Sequence, residues 1–259
     1  MQPLIIANWK MNPATVKAAA RLARDIEHGI ATLRGAEAVI APPFPFLAAV
    51  GGALRRGRLG AQDVAAAGGG PYTGEVSAAM LRDFGVRYVM IGHSERRRLF
   101  GESNELINSK VRQALRSGLR PVIAVGEELR ESQAVVPSAI AEELFRAIAG
   151  IPRRSLAQAV IAYEPVWAIS TTPGARPDTP DNAARRAIYI RKLLTRHLGA
   201  RVADSIRVIY GGSVSIANAA GFVSRDIRGM EGLLVGGASL NAKEFVAIVQ
   251  AVSSSWRRR

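Results

Sequence analysis

The stretch Ala159–Pro180, AVIAYEPVWAISTTPGARPDTP, runs from a short apolar strand through an acid and a Pro-rich loop to the start of a helix. Val160, Ile161, Ala162 and Tyr163 form a near-continuous apolar run, the pattern of a strand covered on both faces in a parallel sheet. Glu164 ends the run. Pro165 holds Glu164 towards extended backbone, and Val166 and Trp167 supply apolar surface beside its carboxylate, surroundings that favour the neutral acid and move its proton affinity towards the working pH. Two readings stand at this point: a general base, or a strand-end acid paired with one of the many arginines.

The same alternation extends in both directions. Strand-like runs at Leu4–Ala7, Ala38–Ala41, Leu59–Gln62, Arg87–Ile91, Pro121–Val125, Ile206–Tyr210 and Leu233–Val235 complete a set of eight with Ala159–Tyr163. Helix-like segments follow them at Thr15–Leu33 (stripe Ala18, Leu22, Ile26, Ile30), Phe46–Leu54, Ala78–Phe84, Glu105–Arg116, Ser138–Ala149, Pro180–Leu198, Ile216–Val223 and Ala242–Val252. Strict alternation implies parallel strands with right-handed crossovers, and eight units is the number that closes a (β/α)8 barrel. An open doubly wound sheet is the competing architecture. It loses ground because the first strand is followed by ANWKMN rather than GxGxxG, and GxxxxGK[ST] is absent. The expectation is a single α/β domain over residues 1–259 with a basic tail at about 253–259.

The 259 residues are 48% hydrophobic, ample for one large core. No cysteine is present, which excludes disulfides and thiolate chemistry, and His28, His93 and His197 lack metal-site spacing. Neither a signal peptide nor a membrane-spanning run is visible, so a cytoplasmic protein is expected. The formal charge of +14 and pI near 11.1 could mark a nucleic-acid binder, but the arginines are dispersed and no aromatic platform accompanies them. No specific nucleic-acid partner is expected; the field suits an anionic small substrate.

In such a barrel the strand C-termini converge on one face. Strand 1 ends in Asn8-Trp9-Lys10, and Lys10 is either an electrophilic ammonium or a solvated surface lysine. Strand 4 ends in Gly92-His93-Ser94-Glu95 with three arginines behind; a helical turn beginning there would keep the His93 ring neutral, the other reading being a buried structural histidine. Strands 7 and 8 end in Gly211-Gly212-Ser213 and Gly236-Gly237-Ala238-Ser239. Glycine pairs at adjacent strand ends let backbone N–H groups approach a phosphate closely.

ANWKMN, IGHSERRRLFGES, AYEPVWAI, YGGSV and LVGGASL, in that order over Leu4–Val249, together with PYTGEVSAAM, closely resemble segments of the triosephosphate isomerase family. The resemblance implies the TIM barrel and interconversion of D-glyceraldehyde 3-phosphate and dihydroxyacetone phosphate, in glycolysis and gluconeogenesis, without metal or organic cofactor. It makes Glu164 the base, His93 the neutral electrophile, Lys10 the charge that steadies the enediolate and Asn8 a substrate contact, roles for which the family is a standard illustration. Glu95 is implied as a supporting residue. Backbone N–H groups near Ser170, Ser213, Gly236 and Gly237 would hold the phosphate. The loop carrying Pro71, Tyr72, Thr73, Gly74 and Glu75 would dock into a second subunit of a homodimer.

The chain departs from the family pattern in the lid, Ser170–Pro180, which is longer by about three residues and carries Ser170 where a phosphate-binding glycine is expected. Ala124-Val125 replaces a region that often holds cysteine, and Gly68-Gly69-Gly70 enriches the docking loop in glycine. The longer lid leaves a four-carbon ketose phosphate open as substrate. A hydrolase reading of GHSE fails because Arg96 stands where GxSxG needs its second glycine. A catalytically idle basic scaffold is the remaining alternative.

Overall fold

The computed structural model describes residues 1–129, 138–223 and 229–257. Eight parallel strands close into a barrel: β1 (Leu4–Asn8), β2 (Glu37–Ala41), β3 (Arg58–Ala61), β4 (Tyr88–Ile91), β5 (Arg120–Glu127), β6 (Val160–Pro165), β7 (Arg207–Tyr210) and β8 (Gly232–Val235). The closing seam is the pairing of β1 with β8, where Ile6 lies opposite Leu234 while also facing Val39 of β2.

Because successive side chains on a strand point to opposite faces, each strand divides its residues between two apolar regions. Leu4, Ile6, Val39, Ala41, Tyr88, Met90, Val122, Val160, Ala162, Ile209 and Leu234 fill the barrel interior, and the alternate residues pack under the helices. The site inherits its placement from this parity. Asn8 follows Leu4 and Ile6 by steps of two, and Glu164 follows Val160 and Ala162, so both sit on the inner face at the C-terminal rim. At the opposite end Tyr88 Oη donates to Glu37 Oε1 (3.0 Å) and accepts from Arg207 Nη2 (2.9 Å), while Arg207 Nη1 pairs with Glu37 Oε2 at 3.0 Å. These polar tips close the bottom of the barrel without leaving a buried charge alone.

Among the described residues four helices begin where a Ser or Thr side chain caps a free N–H group. Thr15 Oγ1 accepts from Ala18 N at the start of Val16–Ile30, and Thr179 Oγ1 accepts from Asn182 N at the start of Pro180–Leu198, with proline in the first turn. The first helix buries Ala19, Ala23, Ile26 and Ile30 rather than the expected Ala18 and Leu22. Ala18 is exposed and Leu22 lies at the margin, because a strict four-residue step drifts around a helix of 3.6 residues per turn. The expected helix Ile216–Val223 shortens to Ala219–Phe222: Asn218 Oδ1 accepts the Ser215 N–H (2.8 Å) and folds the preceding residues into a turn. The last helix continues from Ala242 to Arg257, so residues 253–257 of the expected tail are helical. Among the described residues no helix is long and apolar enough to cross a membrane.

A buried ionic cluster joins the loop after β3, the helix Ser94–Phe100 after β4 and the helix Asn104–Arg116. Lys110 Nζ bonds Asp63 Oδ1 (2.7 Å) and Glu102 Oε1, and Arg96 bridges the same two acids at 2.9 and 2.6 Å. Burial pushes the Asp63 carboxyl up against the pull of Lys110, whereas Glu102, despite its own burial, is held below the usual range by Lys110 and Arg96. Removing one partner of such a cluster leaves the others buried with uncompensated charge. Lys110→Met is therefore expected to cost about 3–5 kcal/mol in urea unfolding; wild-type stability would show that the cluster is not coupled in this way.

Candidate active site

The C-terminal mouth of the barrel holds a cleft of about 450 Å³ lined by Asn8, Lys10, His93, Ser170, Thr171, Gly211–Ser213 and Gly236-Gly237, among others. Eight of the nine residues expected at the site from sequence therefore lie in or beside one cavity, with Glu95 joined to it through Lys10. The exception, Glu164, borders a second cavity of about 220 Å³ behind His93, shared with Ser94, Arg97, Gly126 and Glu143.

Lys10 occupies a left-handed backbone conformation (φ 50°), uncommon for a residue with a side chain. Two amides hold it there. Its N–H donates to Asn8 Oδ1 (3.0 Å), and its carbonyl accepts from Gln62 Nε2 (2.8 Å), which also donates to Ala41 O (2.9 Å). The ammonium is half-buried and reaches Glu95 Oε1 at 2.6 Å, so it is not a freely solvated lysine. Burial is the largest single influence and acts to raise the Glu95 carboxyl, but the Lys10 hydrogen bond, the charges beside it and the Thr171 hydroxyl together outweigh it, and the net shift is downward. Thr171 Oγ1, from the lid, lies 3.3 Å from the same Glu95 oxygen and 3.4 Å from Lys10 Nζ.

His93 caps the helix Ser94–Phe100, and its Nδ1 accepts the N–H of Glu95 at 3.2 Å. An accepting Nδ1 carries no proton, which assigns the hydrogen of the neutral ring to Nε2. Nε2 is 3.5 Å from Glu164 Oε1. Glu164 is buried, and its Oε2 accepts the Ser94 N–H at 3.0 Å. Among the described residues no arginine pairs with Glu164. Its Oε1 has no hydrogen-bond partner there.

Residues behind Glu164 were not anticipated from sequence. Gly126 pairs with Glu164 across β5 and β6, and a Cβ at Gly126 would lie 1.8 Å from the Glu164 carbonyl oxygen, so only glycine fits. Its N–H donates to Glu143 Oε2 (2.9 Å) from the helix Ser138–Ile148, and Arg97 Nη1 lies 3.6 Å from Glu143 Oε1. Burial raises the Glu143 carboxyl above its ordinary value. Nothing in a lone glutamate on an amphipathic helix signals this role.

On the other side of the cleft, Gly237–Leu240 forms a single helical turn directly after Gly236. The first N–H groups of such a turn have no acceptor within it, which suits an anion. The Ser213 N–H is already donated, to Ala168 O at 3.1 Å. Among the described residues no group of three His, Asp or Glu side chains could hold a metal ion.

The sequence profile of the triosephosphate isomerase family matches residues 3–252. A triosephosphate isomerase of Symbiobacterium thermophilum is 44% identical over 99% of both chains. Those of Thiobacillus denitrificans and Carboxydothermus hydrogenoformans are 45% and 42% identical, each covering 96% of this chain and 98% of its own.

The lowered Glu95 carboxyl predicts a pH signature. A folded-state value below the ordinary 4.5 contributes stability that is present above that value and lost as pH falls through the lower one. The stability gap between wild type and Glu95→Gln should be widest near about pH 7 and shrink below about pH 4.5. A gap that widened on acidification would contradict the Lys10–Glu95 assignment.

Proposed function

The chain belongs to the triosephosphate isomerase family, whose members interconvert triose phosphates in glycolysis, and on that premise we propose the residues that carry the reaction here. Glu164 removes the proton from the carbon next to the carbonyl of dihydroxyacetone phosphate or glyceraldehyde 3-phosphate and returns it to the neighbouring carbon. His93, with its hydrogen on Nε2, donates to the carbonyl oxygen and passes protons between the two oxygens. Lys10 stabilises the negative charge of the enediolate, and Asn8 positions both Lys10 and substrate. Glu95 orients the ammonium. Ser170, Gly236 and Gly237 supply N–H groups to the phosphate, and Ser213 adds its own by giving up Ala168 O.

The observation that carries this reading is Glu164 Oε1, buried, without a hydrogen-bond partner and 3.5 Å from His93 Nε2. A carboxylate oxygen in that position is free to accept a proton and lies next to the donor that must act on the same substrate. Proton abstraction next to a carbonyl builds oxyanion charge, which needs a base on one side and electrophilic donors on the other. The cleft volume of about 450 Å³ accommodates a three-carbon phosphate. Glu164 starts from the Ser94 N–H, outside the lining of that cleft, so its side chain must turn inward past His93 when substrate arrives.

The reading extends to assembly and place. The loop Pro71–Glu75 is exposed, with Tyr72 at 55%, and Leu99 and Phe100 are exposed on the helix that follows His93. Such surfaces support a homodimer formed through that loop, in the cytoplasm where glycolysis runs.

Steady-state interconversion of the triose pair tests the assignment. Glu164→Gln should lower kcat by about 10²–10⁴ with a small change in KM, because the base acts in the transition state; turnover at the wild-type rate would refute it. A four-carbon ketose phosphate assayed alongside should be the poorer substrate. Sedimentation should give twice the 27.6 kDa chain mass, falling to the single chain in Tyr72→Asp; an unchanged species in that variant would exclude this loop as the interface.

A further inference from the structure

Arg58, Arg82, Arg87 and Arg120 line one cleft of about 470 Å³ at the N-terminal ends of β3, β4 and β5, the opposite mouth of the barrel from Lys10 and His93. Strand pairing brings them together. Arg58 opens β3, Arg120 opens β5, and Arg87 precedes β4 with its N–H on Leu59 O and its carbonyl accepting Arg120 N, both at 2.9 Å. The other lining residues are Gly85, Val86, Gly118 and Gln158, so among the described residues no carboxylate lines the cleft.

The guanidiniums that are held in place are held by neutral groups. Arg82 Nη1 donates to Ser117 O (2.7 Å), and Arg120 Nη1 donates to Tyr88 Oη (3.3 Å). Among the described residues none of the four makes an ion pair; the nearby acid, Glu37, is already paired with Arg207. Gly118 has φ 73°, and a Cβ there would meet Arg82 Nη1 at 2.1 Å, so the Arg82 fork crosses bare backbone. Four permanent positive charges converging on one concavity repel one another until an anion joins them.

We infer that this cleft is a second anion site that binds a small molecule carrying two or more phosphate groups. A single phosphate engages one or two guanidinium forks, whereas a linked pair or triple can meet all four. The cleft is open, but its four arginines are confined to the ends of three neighbouring strands, a patch that suits a compact anion better than a nucleic-acid backbone, which follows an extended basic groove. The isomerase assignment plays no part in this argument, since the site lies on the face that holds none of the proposed catalytic residues.

Inorganic tripolyphosphate is the probe, titrated calorimetrically at about 150 mM salt, where long-range attraction between exposed charges is screened. Arg58 and Arg87 are both exposed, so Arg58→Gln/Arg87→Gln should fold normally and isomerise triose phosphate as the wild type does. The double variant should bind tripolyphosphate at least about tenfold more weakly, while Lys10→Met, altered at the other mouth, should retain binding at the arginine cleft. Equal affinity in wild type and double variant would overturn the inference. So would loss of all binding in Lys10→Met, which would put the anion in the substrate cleft. Orthophosphate binding as tightly as tripolyphosphate would refute the multivalent site, and displacement by a single-stranded oligonucleotide at equal phosphate concentration would make nucleic acid the ligand instead.

Discussion

Closure of β1 against β8 is the constraint on which the rest depends. An open sheet can let an edge strand slip, but in a closed barrel a one-residue slip exchanges inner and outer faces along the strand. Parity then decides the chemistry at a distance. Ile6 and Ala162 belong to the barrel interior, so Asn8 and Glu164 stand on its inner face at the rim, and residues one step away pack under the helices. The apolar core thereby fixes where an amide and a carboxylate stand.

Precision at the rim comes from polar contacts behind it. The short helix after His93 buries none of its own side chains, so hydrophobic packing does not anchor it. It is tied down from below by Arg96 in the Asp63–Lys110–Glu102 cluster and by Arg97, which donates to Gly92 O (2.9 Å) and Asn104 Oδ1 (2.7 Å). These arginines look like a solvated charge run in sequence. In the fold they hold the turn that presents His93 Nε2 and the Ser94 N–H to Glu164. Glu143 does the same for the other strand by gripping the Gly126 N–H.

This explains what sequence could and could not show. Strand positions were legible because apolar runs bounded by Gly, Pro and polar residues carry a local signal, and strand-end residues such as Asn8, His93 and Glu164 stood out against it. The helix Ser94–Phe100 was not placed as an element because SERRRLF has no apolar stripe to mark it. Gln62, Thr171 and Glu143 were missed because their roles arise from contacts across 52, 76 and 17 positions of chain, respectively. Which way Glu164 points was equally hidden: its resting partner is a backbone N–H, and backbone donors leave no mark in a sequence.

The hydrogen bond from the Ser213 N–H to Ala168 O ties the proposed phosphate donor to the root of the loop Ser170–Pro180. A backbone N–H makes one good hydrogen bond, so a phosphate oxygen that takes this donor evicts the carbonyl at the root of the lid. On the proposed assignment, arrival of the anion and release of the loop would be a single exchange rather than two events. Part of the phosphate's affinity would be consumed in freeing the loop, and departure of product would return the N–H to Ala168. A sugar without phosphate would have nothing to offer in that exchange and would leave the loop where it was.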